Sequence, residues 1–178
     1  QAELEQLRRL NLSIVHYGVE TGDDEIRAAI RKGSTAATCI EAGRKLKEAG
    51  IQVWATVLLG IGGRETSLRH ALATGELLSA MDPDFVGALT VMLIPETPLY
   101  EDFVKGTFKL PDQTGLLQEL REMIAYTHLT RGYFFSNHAS NYLPIKAKLP
   151  IGKQKALDLI DAALRGEVRL KPEWMRAL

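Results

Sequence analysis

Short apolar runs alternate with helical patterns along the first part of the chain. The run over residues 13–20 is rich in β-branched and aromatic residues, which favours a strand. The runs over residues 51–59 and 85–94 are almost wholly apolar, as expected for parallel strands that are buried on both faces. Each run ends at glycine, proline or acidic residues before the next helical pattern. This alternation predicts repeated βα units and a parallel sheet.

Helical patterns fill the segments between and after these strands. Residues 1–12 predict a charged amphipathic helix, and a short helix over residues 24–31 begins after Asp23 with acids at the positive end of its dipole. A longer helix begins after Ser34 or Thr35 and ends at Gly50. Further helices are predicted over residues 66–80, 115–130 and 151–164, with a loop over residues 100–114 and a short strand-like run over residues 133–135.

Composition and charge narrow the class of protein. Of the 178 residues, 46% are hydrophobic and 25% are charged, as in ordinary globular proteins. The 22 basic residues balance 22 acidic ones, so we find no strong electrostatic signal for nucleic acid. The longest apolar stretch, residues 53–61, is too short to span a membrane. The single cysteine, Cys39, excludes an internal disulfide, and we expect a soluble cytoplasmic protein.

Polar and glycine residues collect where the predicted strands end. Ligands bind at the carboxyl ends of the strands in parallel α/β folds, so these residues are candidates for a site. The motif Gly60-x-Gly62-x-x-Glu65 has no third glycine in place and no following Gly-Lys-Ser/Thr, which excludes a dinucleotide fingerprint and a P-loop. A second polar cluster, residues 137–141, either hydrogen-bonds a substrate or braces a loop, and its spacing fits no zinc site.

Three segments of the chain resemble, in order, the second half of the barrel of radical S-adenosylmethionine (SAM) enzymes. They are YGVETGDDEIRAAIRKGST, IEAGRKLKEAGIQVWATVLLGIGGRET and LIPETPLYE. Together with SNHASNYLP, they are similar to the iron–sulfur oxidoreductases related to oxygen-independent coproporphyrinogen oxidase, the methylthiotransferases and the Elp3-type enzymes. The resemblance implies an α/β fold in which residues 1–105 form the second half of a partial TIM-type (βα)6 barrel. A mainly helical extension, residues 106–178, is expected to pack on the same domain.

The resemblance also implies roles for individual residues. Glu20 matches the position that contacts the ribose or amino-acid part of SAM, and Arg31 is suited to the SAM carboxylate. The turn at Gly60 is expected to let the backbone approach the adenine. The implied cofactor-binding residues are Glu20, Thr21, Arg31, Thr56, Gly60, Gly62, Gly63 and Thr90, and the implied substrate-binding residues are Asn137, His138 and Asn141.

Alternatives to these roles stay open. Glu20 either contacts SAM, or caps the following helix, or pairs with Arg31 or Lys32. Arg31 alternatively compensates a helix dipole, and the Gly60 turn alternatively connects strand and helix with no ligand.

The chain departs from the family in its cysteines. Radical SAM enzymes hold a [4Fe-4S] cluster through three cysteines, usually spaced Cys-x3-Cys-x2-Cys, whereas this chain has Cys39 alone, on the buried face of a predicted helix. We therefore expect a C-terminal fragment of a radical SAM oxidoreductase that is inactive by itself, retains no cofactor and binds added SAM weakly or not at all, with the cluster motif upstream of Gln1. In the full-length enzyme, SAM and the [4Fe-4S] cluster would generate a 5′-deoxyadenosyl radical that takes hydrogen from an unidentified substrate.

Two other classes of protein compete with this interpretation. Another βα-barrel enzyme, such as an aldolase, would need a Schiff-base lysine at a strand end, but Lys32, Lys45 and Lys47 fall on helices or their caps. A non-catalytic α/β assembly module is the third class. Three strands of an opened barrel leave two unpaired edges, so we expect a homodimer, or a monomer in which residues 133–144 cover one edge.

Overall fold

A five-stranded sheet organises the protein, which is described by a computed structural model over residues 1–177. The strands lie in the order β1-β2-β3-β4-β5, of which β1 to β4 are parallel and β5 is antiparallel to β4. The elements in chain order are α1 (Ala2–Arg9), β1 (Ile14–Glu20), α2 (Asp24–Ala29), α3 (Ala36–Glu48), β2 (Gln52–Leu59), α4 (Gly63–Met81), β3 (Phe85–Thr90), α5 (Pro98–Lys105), α6 (Gln113–Tyr126), β4 (Gly132–Phe135), β5 (Lys146–Leu149), α7 (Lys153–Leu164) and a 3₁₀ turn (Glu173–Met175).

The two faces of the sheet differ in what covers them. Val53, Ala55 and Val57 of β2 are completely buried on the face that carries the helices. There α3 packs against β2 and α4, α6 packs against α4, and α7 packs against α6 and β5. Trp54 and Thr56 alternate with these residues and are half-buried on the other face, which we call the open face. The hydrophobic core therefore lies on one side of the sheet.

The predicted fold class is confirmed, with local differences. The first two strands and the first three helices lie close to the predicted ranges. α5 includes residues 100–105 of the loop expected over residues 100–114, because Thr97 caps the helix and Pro98 occupies its first turn, where proline needs no amide hydrogen. β3 ends at Thr90 instead of residue 94, since β4 pairs only as far as Gly87 and the Thr90 amide donates to the Ser140 hydroxyl at 3.0 Å.

The carboxyl-terminal part of the chain extends the sheet. Residues 132–135 form β4 beside β3, with the Tyr133 amide donating to the Asp84 carbonyl at 2.9 Å. β5, which the sequence analysis did not predict, then covers the edge of β4. Of the two alternatives for the edges of the three-stranded sheet, the structure therefore shows the one in which the segment over residues 133–144 covers the edge of the third strand, and the outer strands are β1 and β5. The division after residue 105 stays a prediction, and the sheet continues across it. No helix of residues 1–177 is long and apolar enough to cross a membrane.

Candidate functional site

A cleft of about 770 Å³ lies at the carboxyl ends of the parallel strands. Its walls come from α2, from the turn between β2 and α4, and from the α5 region, and its volume is in the range of small-molecule sites. The apolar lining includes Ile26, Ile30, Ile61, Leu99 and Phe108, and the polar lining includes Arg31, Thr66 and Arg69. The cleft therefore combines an apolar floor with a few polar groups at its rim.

Glu20 lies at the end of β1 with its side chain on the open face. Its backbone has a φ of 63°, and a β-bulge separates it from Gly18. The Glu20 carboxylate folds back over Gly18, because a Cβ at Gly18 would lie 2.5 Å from Oε1. Lys32 Nζ donates to the same oxygen at 2.8 Å. The ion pair considered as an alternative role for Glu20 is thus present in the structure.

Arg27, which the sequence analysis did not single out, fixes the backbone on both sides of Glu20. Its side chain is 1% exposed, and one terminal nitrogen donates to the carbonyls of Val19 and Thr21 at 2.7 and 2.8 Å. Nε donates to the Ser34 carbonyl at 2.9 Å, and the other nitrogen lies 2.8 Å from Cys39 Sγ. The sequence carries only a weak indication of this role, because Arg27 lies between the apolar residues Ile26 and Ala28 of α2.

Thr21 connects the end of β1 to a buried histidine. His70 is fully buried, and its Nε2 lies 3.1 Å from the Leu58 carbonyl, which only accepts, so this nitrogen carries the proton. Nδ1 then accepts from the Thr21 hydroxyl at 2.8 Å. Burial lowers the pKa of His70 to about 4. The 3.4 Å contact between Nε2 and Glu119 Oε1 is therefore no ion pair at neutral pH.

Glu119 is a buried carboxyl group behind the Gly60 turn. Its Oε1 accepts from the Gly60 amide at 2.6 Å, and the Ser67 hydroxyl donates to Oε2. Burial raises the pKa of Glu119 to about 7 against the opposing effect of these two hydrogen bonds. The sequence analysis missed Glu119, although it stands among the apolar residues Leu116, Leu117 and Leu120 of α6.

The glycines of the turn pack against other parts of the chain. Gly60 and Gly63 have φ values of 81° and 71°, which glycine adopts without strain. A Cβ at Gly60 would lie 3.0 Å from Leu116, and one at Gly63 would lie 3.1 Å from Phe108. Gly62 lines the cleft, and a Cβ there would lie 2.6 Å from Thr66 Oγ1 and 2.7 Å from Ile26 Cδ1. Only the Ile61–Gly62 side of the turn therefore borders space for a ligand.

The remaining candidate residues occupy different places. Arg31 is exposed at the rim of the cleft, and Thr56 lies in the middle of β2 on the open face. Thr90 and Asn141 are buried together, with the Thr90 hydroxyl donating to Asn141 Oδ1 at 2.8 Å. Asn141 Nδ2 donates in turn to two main-chain carbonyls, those of Ala88 and Ser136. This arrangement braces the loop after β4 against β3.

Asn137 and His138 lie on the same loop as Asn141. Asn137 is exposed, and His138 Nδ1 lies 2.9 Å from the Ser140 hydroxyl. Substrate binding by Asn137, His138 and Asn141 stays a prediction.

The residues do not fit a [4Fe-4S] cluster, which needs three thiolates. Cys39 is completely buried between Tyr17 and Arg27. Within residues 1–177, no group of three or more histidine, cysteine or acidic side chains is arranged to hold a metal ion.

Comparisons with known proteins agree with the fold. The family model of the Radical SAM superfamily matches residues 1–78. Two proteins named tRNA uridine(34) acetyltransferase, from Methanocaldococcus jannaschii and Methanocaldococcus infernus, are 28% and 27% identical to this chain over 111 residues. These alignments cover 61% of this chain but 20% and 21% of the relatives, so the chain spans about a fifth of their length.

A solved structure gives the same relationship. The archaeal Methanocaldococcus infernus Elp3 with an N-terminal deletion superimposes with a TM-score of 0.55 at 26% sequence identity. The match covers 71% of this chain and 29% of the Elp3 chain. Residues 1–78 therefore match the radical SAM superfamily, and the chain is similar in sequence and in fold to Elp3.

Proposed function

We propose that this chain forms part of the SAM-binding wall and the substrate side of a radical SAM oxidoreductase. The observation that carries the proposal is the cleft at the carboxyl ends of the strands, whose α2 and Gly62 walls lie in the family-matched segment. The apolar floor suits an adenine ring. Arg31 at the rim forms no ion pair within residues 1–177, so its guanidinium is available to a carboxylate.

The proposed role requires cysteine ligands for the cluster that this chain does not supply. Since Cys39 is the chain's single cysteine and is buried, we propose that the three cluster cysteines belong to another part of a longer polypeptide. The family implies SAM and an iron–sulfur cluster for full-length proteins. The residues of this chain would bind and orient SAM and shield it from water.

The other candidate functions receive less support. The relatives are named for acetylation of tRNA uridine 34, but the chain spans about a fifth of their length and its charge is balanced. An aldolase-type lysine is also disfavoured, because Lys32 is paired with Glu20. A non-catalytic assembly role for the chain alone would be consistent with its lack of a cluster site.

Titration with SAM tests the proposed wall. We expect the backbone amide signals of Ile61 and Gly62 to shift in ¹H–¹⁵N spectra, with a dissociation constant on the order of 1 mM because only part of the site is present. Arg31→Ala should weaken binding about tenfold, as expected for loss of a charge-assisted hydrogen bond. Arg131→Ala, also exposed but outside the cleft lining, is the matched control. Unchanged Ile61 and Gly62 signals at 10 mM SAM, on the order of ten times that constant, would contradict the proposal.

We further propose that the chain forms a homodimer through the outer edge of β1. β1 pairs only with β2, which leaves backbone groups of its other edge open to a second strand. β5 is the less suitable edge, because it is four residues long and carries two exposed lysines. Sedimentation velocity should show a dimer that His16→Lys, a charge on the β1 edge, converts to monomer. A monomer at all concentrations of the unmodified chain would refute the dimer.

A further inference from the structure

Five ring-bearing residues form what we call the aromatic row on the open face. His16, Trp54, Phe85 and Tyr133 are register partners on β1, β2, β3 and β4, with successive ring centroids 5.3, 5.2 and 6.2 Å apart. Phe135, the fifth member, stacks on Trp54 with a centroid distance of 5.4 Å and an interplanar angle of 3°. Since the rings stack face to face across the strands, their edges are directed away from the sheet.

A hydrogen-bond donor lies within the aromatic row. The indole of Trp54 leans over Gly87, because a Cβ at Gly87 would lie 2.8 Å from Trp54 Nε1. This N–H has no acceptor among the residues that the structure describes, and it is not fully buried. Thr56 follows Trp54 on the same face of β2 and is half-buried. The face thus offers an indole N–H and a hydroxyl among apolar rings.

The margin of the open face along β5 is positively charged. Lys148 is the register partner of Tyr133, and Lys146 is the partner of Phe135. Both lysines are exposed, and Lys146 Nζ lies 5.6 Å from the centre of the Phe135 ring. Neither forms an ion pair within residues 1–177, whereas the Glu20 carboxylate on this face is already paired with Lys32. The uncompensated charge beside the rings favours an anionic ligand.

We propose that the aromatic row, with Lys146 and Lys148, binds a flat aromatic molecule that carries a carboxylate or a phosphate. The electropositive ring edges contact the π face of the ligand edge-to-face, and the lysines bind its anionic group. The Trp54 N–H donates to a ligand oxygen. This inference deepens the proposed function, because it names a class of substrate that would bind on the open face beside Glu20. The assignment of this site to the substrate rests on the proposed function.

The two tryptophans of the chain allow a direct test. Trp54 and Trp174 give two indole N–H signals in ¹H–¹⁵N spectra, which Trp174→Phe assigns. We expect 2-naphthoate to shift the Trp54 signal saturably and to leave the Trp174 signal in place. A purine nucleoside 5′-monophosphate tests the phosphate as the anionic group. Cyclohexanecarboxylate and ribose 5-phosphate, which have the charge without the aromatic ring, should produce no saturable shift.

Charge variants complete the test. Lys146→Ala combined with Lys148→Ala should weaken naphthoate binding at least fivefold, while Lys45→Ala with Lys155→Ala, on exposed helix positions, should not change it. An immobile Trp54 signal, or equal binding of cyclohexanecarboxylate, would overturn the inference. Protein concentration is held constant in these titrations, because dissociation of the proposed dimer at the β1 edge would move the Trp54 signal through its stacking partner His16. Failure of SAM binding, which would contradict the proposed function, is detected separately through the backbone amide signals of Ile61 and Gly62.

Discussion

Replacing Arg27 by alanine should lower the free energy of unfolding by about 3–5 kcal/mol, the range for removing one member of a buried polar network. The guanidinium is 1% exposed and donates to the carbonyls of Val19, Thr21 and Ser34. Alanine removes the guanidinium donors from these three carbonyls, of which only that of Val19 is seen to keep another donor within residues 1–177, the Thr21 amide, and it opens a cavity between α2 and β1. Urea unfolding monitored by circular dichroism measures the loss.

Two further variants make the Arg27 result interpretable. Arg44→Ala removes an exposed arginine that donates to a single carbonyl, that of Ala80, and should cost less than about 1 kcal/mol. Arg27→Lys keeps the charge but lacks the fork of donors, so it should fall between the wild-type protein and Arg27→Ala. If Arg27→Ala were as stable as Arg44→Ala, the network around Glu20 would not depend on the guanidinium.

Glu119→Gln should change how stability depends on pH. The pKa of Glu119 is raised by burial from 4.5 to about 7, so its contribution is present below pH 4.5 and is lost as the pH rises towards 7. The pKa of His70 is lowered by burial from 6.5 to about 4, so its contribution is present above pH 6.5 and is lost as the pH falls towards 4. Between pH 4.5 and 6.5 the two contributions oppose each other in the wild-type protein.

In the Glu119→Gln variant, the pH dependence of the free energy of unfolding should therefore contain the His70 contribution without the opposing Glu119 contribution. We expect the free energy of unfolding of Glu119→Gln, relative to wild type, to rise by roughly 3 kcal/mol from pH 4.5 to 7, in line with 1.36 kcal/mol per pKa unit. Glutamine keeps the shape of the side chain, and its oxygen accepts the Gly60 amide. Denaturant unfolding at several pH values gives the difference, with Glu48→Gln on an exposed position as control. A difference that does not vary with pH would mean that Glu119 is ionised in the folded state.

Local patterns in the sequence predict much of the fold but little of the buried polar network. The apolar run of β2 and the alternation in β1 reflect contacts within each strand, so their bounds follow from the sequence. β5 was missed because it has only four residues, two of them lysines. The partners of Glu119 are Gly60 and Ser67, more than fifty residues away. A single sequence does not show such distant pairings, although a lone charge in an apolar helix stripe marks where to look.

The left-handed backbone of Glu20 has an energetic meaning. A residue other than glycine at a φ of 63° costs about 1 kcal/mol, which glycine would not incur. The ion pair with Lys32 stabilises the folded state by less than about 1 kcal/mol, because the Glu20 and Lys32 side chains are 19% and 31% exposed. Within the isolated chain, the carboxylate thus barely offsets the strain of holding it there. The guanidinium of Arg27, which binds the carbonyls on both sides of Glu20, therefore supplies most of the stabilisation that holds this backbone conformation.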